Sequence, residues 1–308
     1  MRVVRSLERA RGLFDRPVLT IGNFDGVHRG HQVILGQVRG DADQRKVPAV
    51  ALTFEPHPVS VLRPDKAPRL LMTLRDRLAA LASCGLDAVV VQPFSPAFAQ
   101  VEAEEFMRRF LVEILAVQKV VVGHDLNFGK GRKGDVELLV EGGGRYGFAI
   151  EVIRPVLVDG MVVHSSVVRE KVAAGDVELA ARLLGRPHVV RGRVVRGAGR
   201  GQKIGFATAN LRARTQLVPA EGVYATRSLV DGRRIEGVTS IGTTPTFGGS
   251  DVVIETHLFT DPEDFYGRDF ALEFHARLRD QRKFENAQAL VTQIARDVER
   301  AKEILGRS

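Results

Sequence analysis

The chain has 308 residues, of which 44% are hydrophobic, 27% are charged and one is cysteine, with a formal net charge of +8. That length favours about two domains; a single thiol excludes an internal disulfide and a cysteine-rich zinc site; and no run approaches the roughly 18 uninterrupted apolar residues of a membrane helix. The excess charge is spread, +3 over residues 1–185 and +5 over 186–308, with eight basic residues and no acidic one from Arg186 to Arg214.

That basic stretch suits a phosphate ligand as well as RNA, or is a solvated face, and it lacks the aromatic interleaving of a base-stacking surface. The charged start MRVVRSLERARGLFDRP has no apolar core of a secretory signal, so a cytoplasmic location is expected.

Four apolar runs, 17–22, 47–54, 86–94 and 118–123, alternate with amphipathic stretches at 31–39, 73–83 and 103–115. Continuous apolar strands separated by helices indicate a parallel α/β sheet covered on both faces. Between the first strand and the first helix stands Gly22-Asn23-Phe24-Asp25-Gly26-Val27-His28-Arg29-Gly30-His31. Such a turn lies at the carboxyl edge of the sheet, where ligands bind, and free amides at a helix N-terminus favour an anion. Two histidines three apart can face one phosphate, each donating to oxygens that gain charge as a nucleophile attacks phosphorus. Gly30 lets the backbone come close to a nucleotide. A lone histidine is most often structural; this spacing at this turn points to catalysis.

Further on, Thr53-Phe54-Glu55-Pro56-His57-Pro58 follows the second strand and is stiffened by its prolines. The loop from Gly123 to Asp135 carries three more glycines, three cations and two aspartates, which suits polyphosphate and equally a plain surface loop. Cys84 fills a helix-to-strand turn. Residues 148–155 and 156–164 read as late strands with a turn at Asp159-Gly160, and 165–185 as two short helices broken near Gly175-Asp176, with Ser165 or Ser166 as N-cap.

The pattern changes at Gly185-Arg186-Pro187, which marks a boundary between domains 1–185 and 186–308. Glycine-punctuated strands at 188–197, 222–242, 251–259 and 269–279 suggest an antiparallel barrel. A long amphipathic helix with Leu290, Ile294, Val298, Ile304 and Leu305 on its apolar face closes the chain. Glycines 197, 199, 201 and 205 permit a loop whose amides cup phosphate. No Gly-Lys-Ser/Thr follows, so it is not a Walker A loop, and by itself it reads equally as a barrel turn. Strand alternation puts Val253, Glu255 and His257 on one face and Ile254, Thr256 and Leu258 on the other.

His28-Arg29-Gly30-His31 resembles the HxGH signature of the nucleotidyltransferase superfamily. The longer string TIGNFDGVHRGH resembles the adenylyltransferase module of prokaryotic bifunctional riboflavin kinase/FAD synthetases. Residues 53–58 match that family's TFEPHP, and 122–135 resemble its VVGxDFxFGxxxxGD loop. Where the family has ISSTxxR, this chain has Val163-His164-Ser165-Ser166-Val167-Val168-Arg169, with His164 for the first serine and Ser166 for the threonine. In the second half, 197–210 resembles GxxxxGxxxGFPTAN with Ala207 for the proline, and 219–225 is similar to PxxGVYA. Residues 237–249 are similar to GVxNIGxxPTFGG with Ser240 for the asparagine, and Ile254-Glu255-Thr256-His257 to the VExH strand. Residues 264–267 resemble DLYG, and 278–284 resemble LRxExKF with Gln281 for the glutamate; the likeness runs from about residue 17 to 306.

The resemblance implies two activities. An N-terminal Rossmann-like α/β nucleotidyltransferase domain would join FMN to ATP, giving FAD and pyrophosphate. A C-terminal six-stranded antiparallel β-barrel with a closing helix would phosphorylate riboflavin with ATP, giving FMN. In the first, it implies His28 and His31 as transition-state stabilisers, with Gly22, Asn23, Phe24, Asp25, Gly30, Asp125, Asn127, Gly129, Ser165, Ser166 and Arg169 around the nucleotide. In the second, it implies Gly197, Gly199, Gly201, Lys203, Gly205, Phe206, Thr208, Asn210 and Arg279 at the ATP and flavin site. Thr208 and Asn210 would help hold Mg2+, and Glu255 would be the base. The expected partners are riboflavin, FMN and ATP, with no nucleic acid and no membrane. Two rival readings stand beside this: one live activity only, given the altered 163–169 segment, or a flavin-sensing or RNA-binding regulator on the same fold.

Overall fold

In a computed structural model the described residues are 1–197, 208–213, 216–246, 249–260 and 263–306. They divide into two compact units, Met1–Pro68 with Thr73–His164, and Arg69–Met72 with Ser165–Ser308.

The first unit is built on six parallel strands: β1 (Arg2–Arg5), β2 (Val18–Ile21), β3 (Ala49–Glu55), β4 (Ala88–Pro93), β5 (Lys119–Gly123) and β6 (Ala149–Ile153). Their spatial order is β1-β4-β3-β2-β5-β6. The central strands are sealed on both faces, with Val50, Ala51, Leu52, Val89, Val90, Val120 and Val121 at 0% exposure, as the continuous apolar runs require. β1 was not among the expected strands. Its Arg-Val-Val-Arg pattern buries only Val4, which fits an edge strand whose charged ends stay in water.

Helices α1 (Arg29–Arg45), α2 (Pro58–Leu62), α3 (Leu74–Ser83), α4 (Ala103–Glu105) and α5 (Val136–Tyr146) join the strands. α4 continues into a π-helical stretch, Phe106–Ile114, where an ordinary helix was expected. Its buried residues Phe106, Phe110 and Ile114 recur every four positions, and the wider turn keeps them on one stripe. β7 (Leu157–Val158) and β8 (Met161–Val162) form a separate small hairpin. Its turn is the expected Asp159-Gly160, with φ of 50° and 76°, the left-handed pair of a tight hairpin turn.

From β2 the chain moves outward to β3 and β4, then returns to add β5 and β6 on the other side. The order therefore reverses between β2 and β5. In open α/β sheets the ligand crevice lies outside the carboxyl ends of the strands at that point.

The second unit is a closed antiparallel barrel in the order β10-β13-β12-β11-β14-β9. Its strands are β9 (His188–Val195), β10 (Thr208–Ala213), β11 (Gly222–Val230), β12 (Arg233–Thr246), β13 (Gly249–Leu258) and β14 (Asp269–Arg279). Inward-facing Val190, Leu211, Tyr224, Ile241, Ile254, Leu272 and Phe274 fill it. Three buried threonines add a hydroxyl ladder, Thr226 to Thr239 at 2.7 Å and Thr239 to Thr256 at 2.9 Å, so each polar atom has a partner.

Helices α6 (Ser165–Ala174) and α7 (Val177–Leu184) belong to this unit, and Val177 joins the barrel core. The composition shift at Gly185 is the left-handed cap of α7, φ 76°, just before β9, and the compact unit itself begins twenty residues earlier. α8 (Ala287–Leu305), capped by Asn286, packs Ala301 and Leu305 on the outer side chains Val223, Ala225, Val238 and Ala276. Among the described residues no helix is long and apolar enough to cross a membrane.

Candidate active sites

The turn after β2 is held in an unusual backbone conformation. Phe24 and Val27 have φ of 51° and 39°, and a β-branched residue in the left-handed region stores strain of order 1–3 kcal/mol. The Phe24 ring lies over Gly22, where an added Cβ would come within 3.1 Å of it. Phe24 and Asp25 are buried.

His28 is the N-cap of α1, and its Nδ1 accepts from the His31 backbone N–H at 3.3 Å. That bond requires an unprotonated Nδ1, so the proton of the neutral ring sits on Nε2, a donor. The two imidazoles stack with centroids 3.7 Å apart and planes 17° from parallel, and Phe24 meets His31 edge-on at 5.2 Å. Gly30 makes this possible, because a Cβ there would crowd the His28 ring at 3.2 Å and the Val163 carbonyl at 3.4 Å. Burial, aided by the charges of His28 and His164, holds His31 well below the usual histidine range, so the ring is neutral at physiological pH.

The end of β5 lies on the other side of the reversal and supplies Asp125. Its carboxylate is 3.5 Å from His164 Nδ1, and the His124 ring stands 6.0 Å from that of His164. Asn127 turns back to donate to the Asp125 carbonyl at 2.9 Å. Gly129, φ 72°, passes so close to the start of α4 that a Cβ would lie 2.7 Å from the Ala103 nitrogen. Asp135, the other aspartate of this loop, caps α5 by accepting from Leu138 N–H at 2.9 Å. Gly22, Asn23, Phe24, Asp25, His28, Gly30 and His31 thus line one strand–helix turn at the reversal, and Asp125, Asn127 and Gly129 belong to the loop after β5. Ser165, Ser166 and Arg169 stand on the first turns of α6, in the second unit.

Sequence reasoning missed Arg77. It is 3% exposed and donates to the Asn23 carbonyl at 2.9 Å, to the Phe54 carbonyl at 3.2 Å and to the Glu55 carboxylate. One guanidinium so ties the turn after β2 to the end of β3. The available signal was an arginine on the buried stripe of α3, four residues before Leu81.

In the barrel, Asn210 of β10 pairs directly with Glu255 of β13, and Glu255 pairs in turn with Ser240 of β12. Thr208 pairs with His257. Directly opposed residues share a face with Cβ atoms about 5 Å apart, so Asn210, Glu255 and Ser240 form a row across three strands. Ile254, Thr256 and Leu258 are buried inward and Glu255 is half-buried on the outer face, following the expected alternation. The Asn210 carboxamide occupies the space beside Gly197, where a Cβ would meet its Nδ2 at 2.1 Å.

Gln281 donates to Ser240 Oγ at 2.6 Å and to the Ile241 carbonyl at 3.0 Å. Arg279 is engaged elsewhere, donating through Nε and Nη2 to Asp297 of α8 at 2.9 and 2.8 Å. Its guanidinium ties β14 to the closing helix. Gly199, Gly201, Lys203, Gly205 and Phe206 lie outside the described residues.

Residues 13–167 match the family model described as FAD synthetase, and residues 184–305 the one described as riboflavin kinase. Among curated relatives, the bifunctional riboflavin kinase/FMN adenylyltransferase of Escherichia coli (strain K12) is 41% identical over 290 residues, 94% of this chain and 93% of that one. The protein of the same description from Haemophilus influenzae is 38% identical over 303 residues, 98% of each chain. The Bacillus subtilis one is 34% identical over 292 residues, 93% of this chain and 92% of that one. A crystal structure from Streptococcus pneumoniae, described as a macrolide-efflux protein, superposes with a TM-score of 0.90 at 28% identity, covering 98% of this chain and 99% of that one. With both modules matched in order over nearly its whole length, the chain belongs to the family of bifunctional riboflavin kinases/FMN adenylyltransferases.

Proposed function

We propose that the chain makes FMN from riboflavin and ATP in its barrel module, and FAD from FMN and ATP in its α/β module. The observation that carries this is the presence, in one chain, of a stacked histidine pair at the reversal of a parallel sheet and a carboxylate opposite Asn210 on a barrel. In the first reaction the Glu255 carboxylate takes the proton of the riboflavin hydroxyl as its oxygen attacks the γ-phosphorus. In the second the FMN phosphate oxygen attacks the α-phosphorus and pyrophosphate leaves. His28 and His31 donate hydrogen bonds to the oxygens that gain charge. Burial keeps His31 neutral, so it need lose no proton, and the stacking of the two rings fixes their direction beforehand.

Mg2+ fits the barrel site. The Thr208 hydroxyl and the Asn210 carboxamide are oxygen donors suited to a hard cation, and Gly197 leaves the space that the Asn210 side chain fills. When bound, the ion neutralises phosphate charge. Glu255, by contrast, is kept as base, and Arg279 ties β14 to the closing helix through Asp297. The substrates are small molecules, and a cytoplasmic location goes with two ATP-consuming steps. Incubating the protein with riboflavin, ATP and Mg2+ and separating FMN and FAD over time tests the reading. Riboflavin consumption followed by FAD accumulation is expected. FMN that never becomes FAD would leave the barrel reaction alone, and no turnover with salt-sensitive RNA binding would favour a regulator.

A further inference from the structure

We propose that Ser240, oriented by Gln281, is a positioning residue of the barrel site, its hydroxyl holding one oxygen of the Glu255 carboxylate. The inference rests on the reading of Glu255 as base. Asn210, Glu255, Ser240, Val223 and Arg279 follow one another as directly paired residues across β10, β13, β12, β11 and β14. Val223 packs against α8 on the outside of the barrel, so the row runs along that outer surface. Gln281 follows closely on Arg279, the end of β14, and its amide reaches back over the row to Ser240.

Counting hydrogens shows which way the bonds point. Gln281 Nε2 lies 2.6 Å from Ser240 Oγ and 3.0 Å from the Ile241 carbonyl. A carbonyl only accepts, so the atom against both is the amide nitrogen, which donates one hydrogen to each. Ser240 Oγ is therefore an acceptor toward Gln281, and its own hydrogen is left for another acceptor. Directly opposed residues carry Cβ atoms about 5 Å apart, which brings the half-buried Glu255 carboxylate within reach of that hydroxyl.

Two departures from the family pattern are explained together. Where the pattern has asparagine and glutamate, this chain has Ser240 and Gln281. An asparagine amide carries two hydrogens, one for each of two carboxylates. A serine has a single hydrogen. Beside a glutamate it would donate that hydrogen there and turn a lone pair toward Glu255. Glutamine in place of the glutamate reverses the bond and returns the hydrogen to the base.

In the transfer, the riboflavin hydroxyl oxygen bonds to the γ-phosphorus as the bond from that phosphorus to the bridging oxygen breaks. The electron pair leaves with ADP, and the hydroxyl proton passes to Glu255. With one carboxylate oxygen held by Ser240, the other is presented to that proton.

The test follows FMN formation from riboflavin and Mg-ATP by the full-length wild type and its variants. Ser240→Ala should lower kcat about 10-fold, as expected for one hydrogen bond to a charged group, with the KM for Mg-ATP held within about 2-fold. Gln281→Glu should lower kcat by a similar factor. Ser240→Asn combined with Gln281→Glu should recover most of that loss although the added charge remains. In a Glu255→Gln background, Ser240→Ala should bring no further loss beyond about 2-fold, because the serine acts through the carboxylate. Unchanged kcat in Ser240→Ala, no recovery in the double variant, or losses that multiply when Ser240→Ala and Glu255→Gln are combined overturn the proposal. A Glu255→Gln enzyme with full kcat overturns the base reading and this inference with it. A slow Glu255→Gln enzyme beside a fully active Ser240→Ala enzyme overturns the inference alone.

Discussion

An imidazole free in water is half-charged near pH 6.5, and a transition-state donor whose charge varied there would serve poorly as a fixed hydrogen-bond site. In the proposed donor role His31 would escape this, because burial and the neighbouring rings hold it well below the usual histidine range. The cost appears in stability. Below about pH 6.5 the unfolded chain protonates this histidine while the folded chain still resists. The unfolded state then binds more protons, so stability falls as pH drops from that value toward the lower folded one. His31→Ala removes the effect, and its urea midpoint should fall less than that of the wild type between about pH 7.5 and 5.5. The same variant should lose FAD formation by on the order of 10²-fold or more while FMN formation barely changes. Equal loss of both products would make the ring structural. Glu255 is the matching case in the barrel. Glu255→Gln should keep the fold and ATP binding and lower FMN production by about 10²–10⁴-fold. Thr208→Ala and Asn210→Ala should act mainly on the KM for Mg-ATP, because they remove oxygen ligands. Unchanged kcat in the Glu255→Gln enzyme would return Glu255 to solvent-facing status.

At the level of elements, the decisive group is one that no motif announces. Arg77 of α3 holds the carbonyls of Asn23 and Phe54 and the Glu55 carboxylate at once. Arg77→Met keeps the stem but removes all three guanidinium bonds, leaving the Asn23 carbonyl only the Thr53 hydroxyl at 3.3 Å. Hydrogen bonds to charged groups contribute about 1.5–3 kcal/mol, so the unfolding free energy from urea titration should drop by an amount in that range. FAD formation should fall with it through the loosened turn, and FMN formation should not; full FAD activity in a destabilised variant would confine Arg77 to stability. Most strands of both units were legible in the sequence because apolar runs and alternation are local signals, and so was the Asp159-Gly160 hairpin turn, because its left-handed geometry selects those residues. β1 was not, since two valines between arginines acquire strand identity only by pairing with β4. β10 was not, since Thr208-Ala209-Asn210 lies at the end of a glycine-rich run and is made a strand by β9 and β13 on either side. The histidine pair could be read from spacing alone. The approach of His164 to Asp125 could not, because it depends on where the small hairpin ends relative to β5.

For the whole molecule, the composition of the chain and its packing draw different lines. The shift at Gly185 separates helix from barrel, yet α7 packs on β14 and β9, and Val177 lies in the barrel core. The backbone N–H of Arg277 donates to Glu178 at 3.2 Å, and the Arg277 guanidinium donates to the carbonyls of Ala174 at 3.0 Å and Glu221 at 2.7 Å. Gly175 sits so near Tyr224 and Arg277 that a Cβ would lie 2.7 Å from each. A fragment cut at residue 186 loses the contacts made by α6 and α7. The exposed Val177 site alone costs about 1.5–3 kcal/mol, and the lost hydrogen bonds about 1 kcal/mol each. Against a typical total of about 5–15 kcal/mol, that is enough to decide whether the barrel stands. The segment Arg69–Met72 also belongs to this unit, tied to it by the Leu217 N–H to Leu70 carbonyl bond of 2.8 Å. Residues 165–308 alone should therefore fold and turn riboflavin into FMN, whereas 186–308 should unfold at markedly lower urea and phosphorylate riboflavin poorly. Urea titration and FMN assays on the two fragments side by side decide it. Matching midpoints would mean that α6 and α7 only rest on the barrel, and an inactive but folded 165–308 would mean that the kinase site needs residues from the first unit.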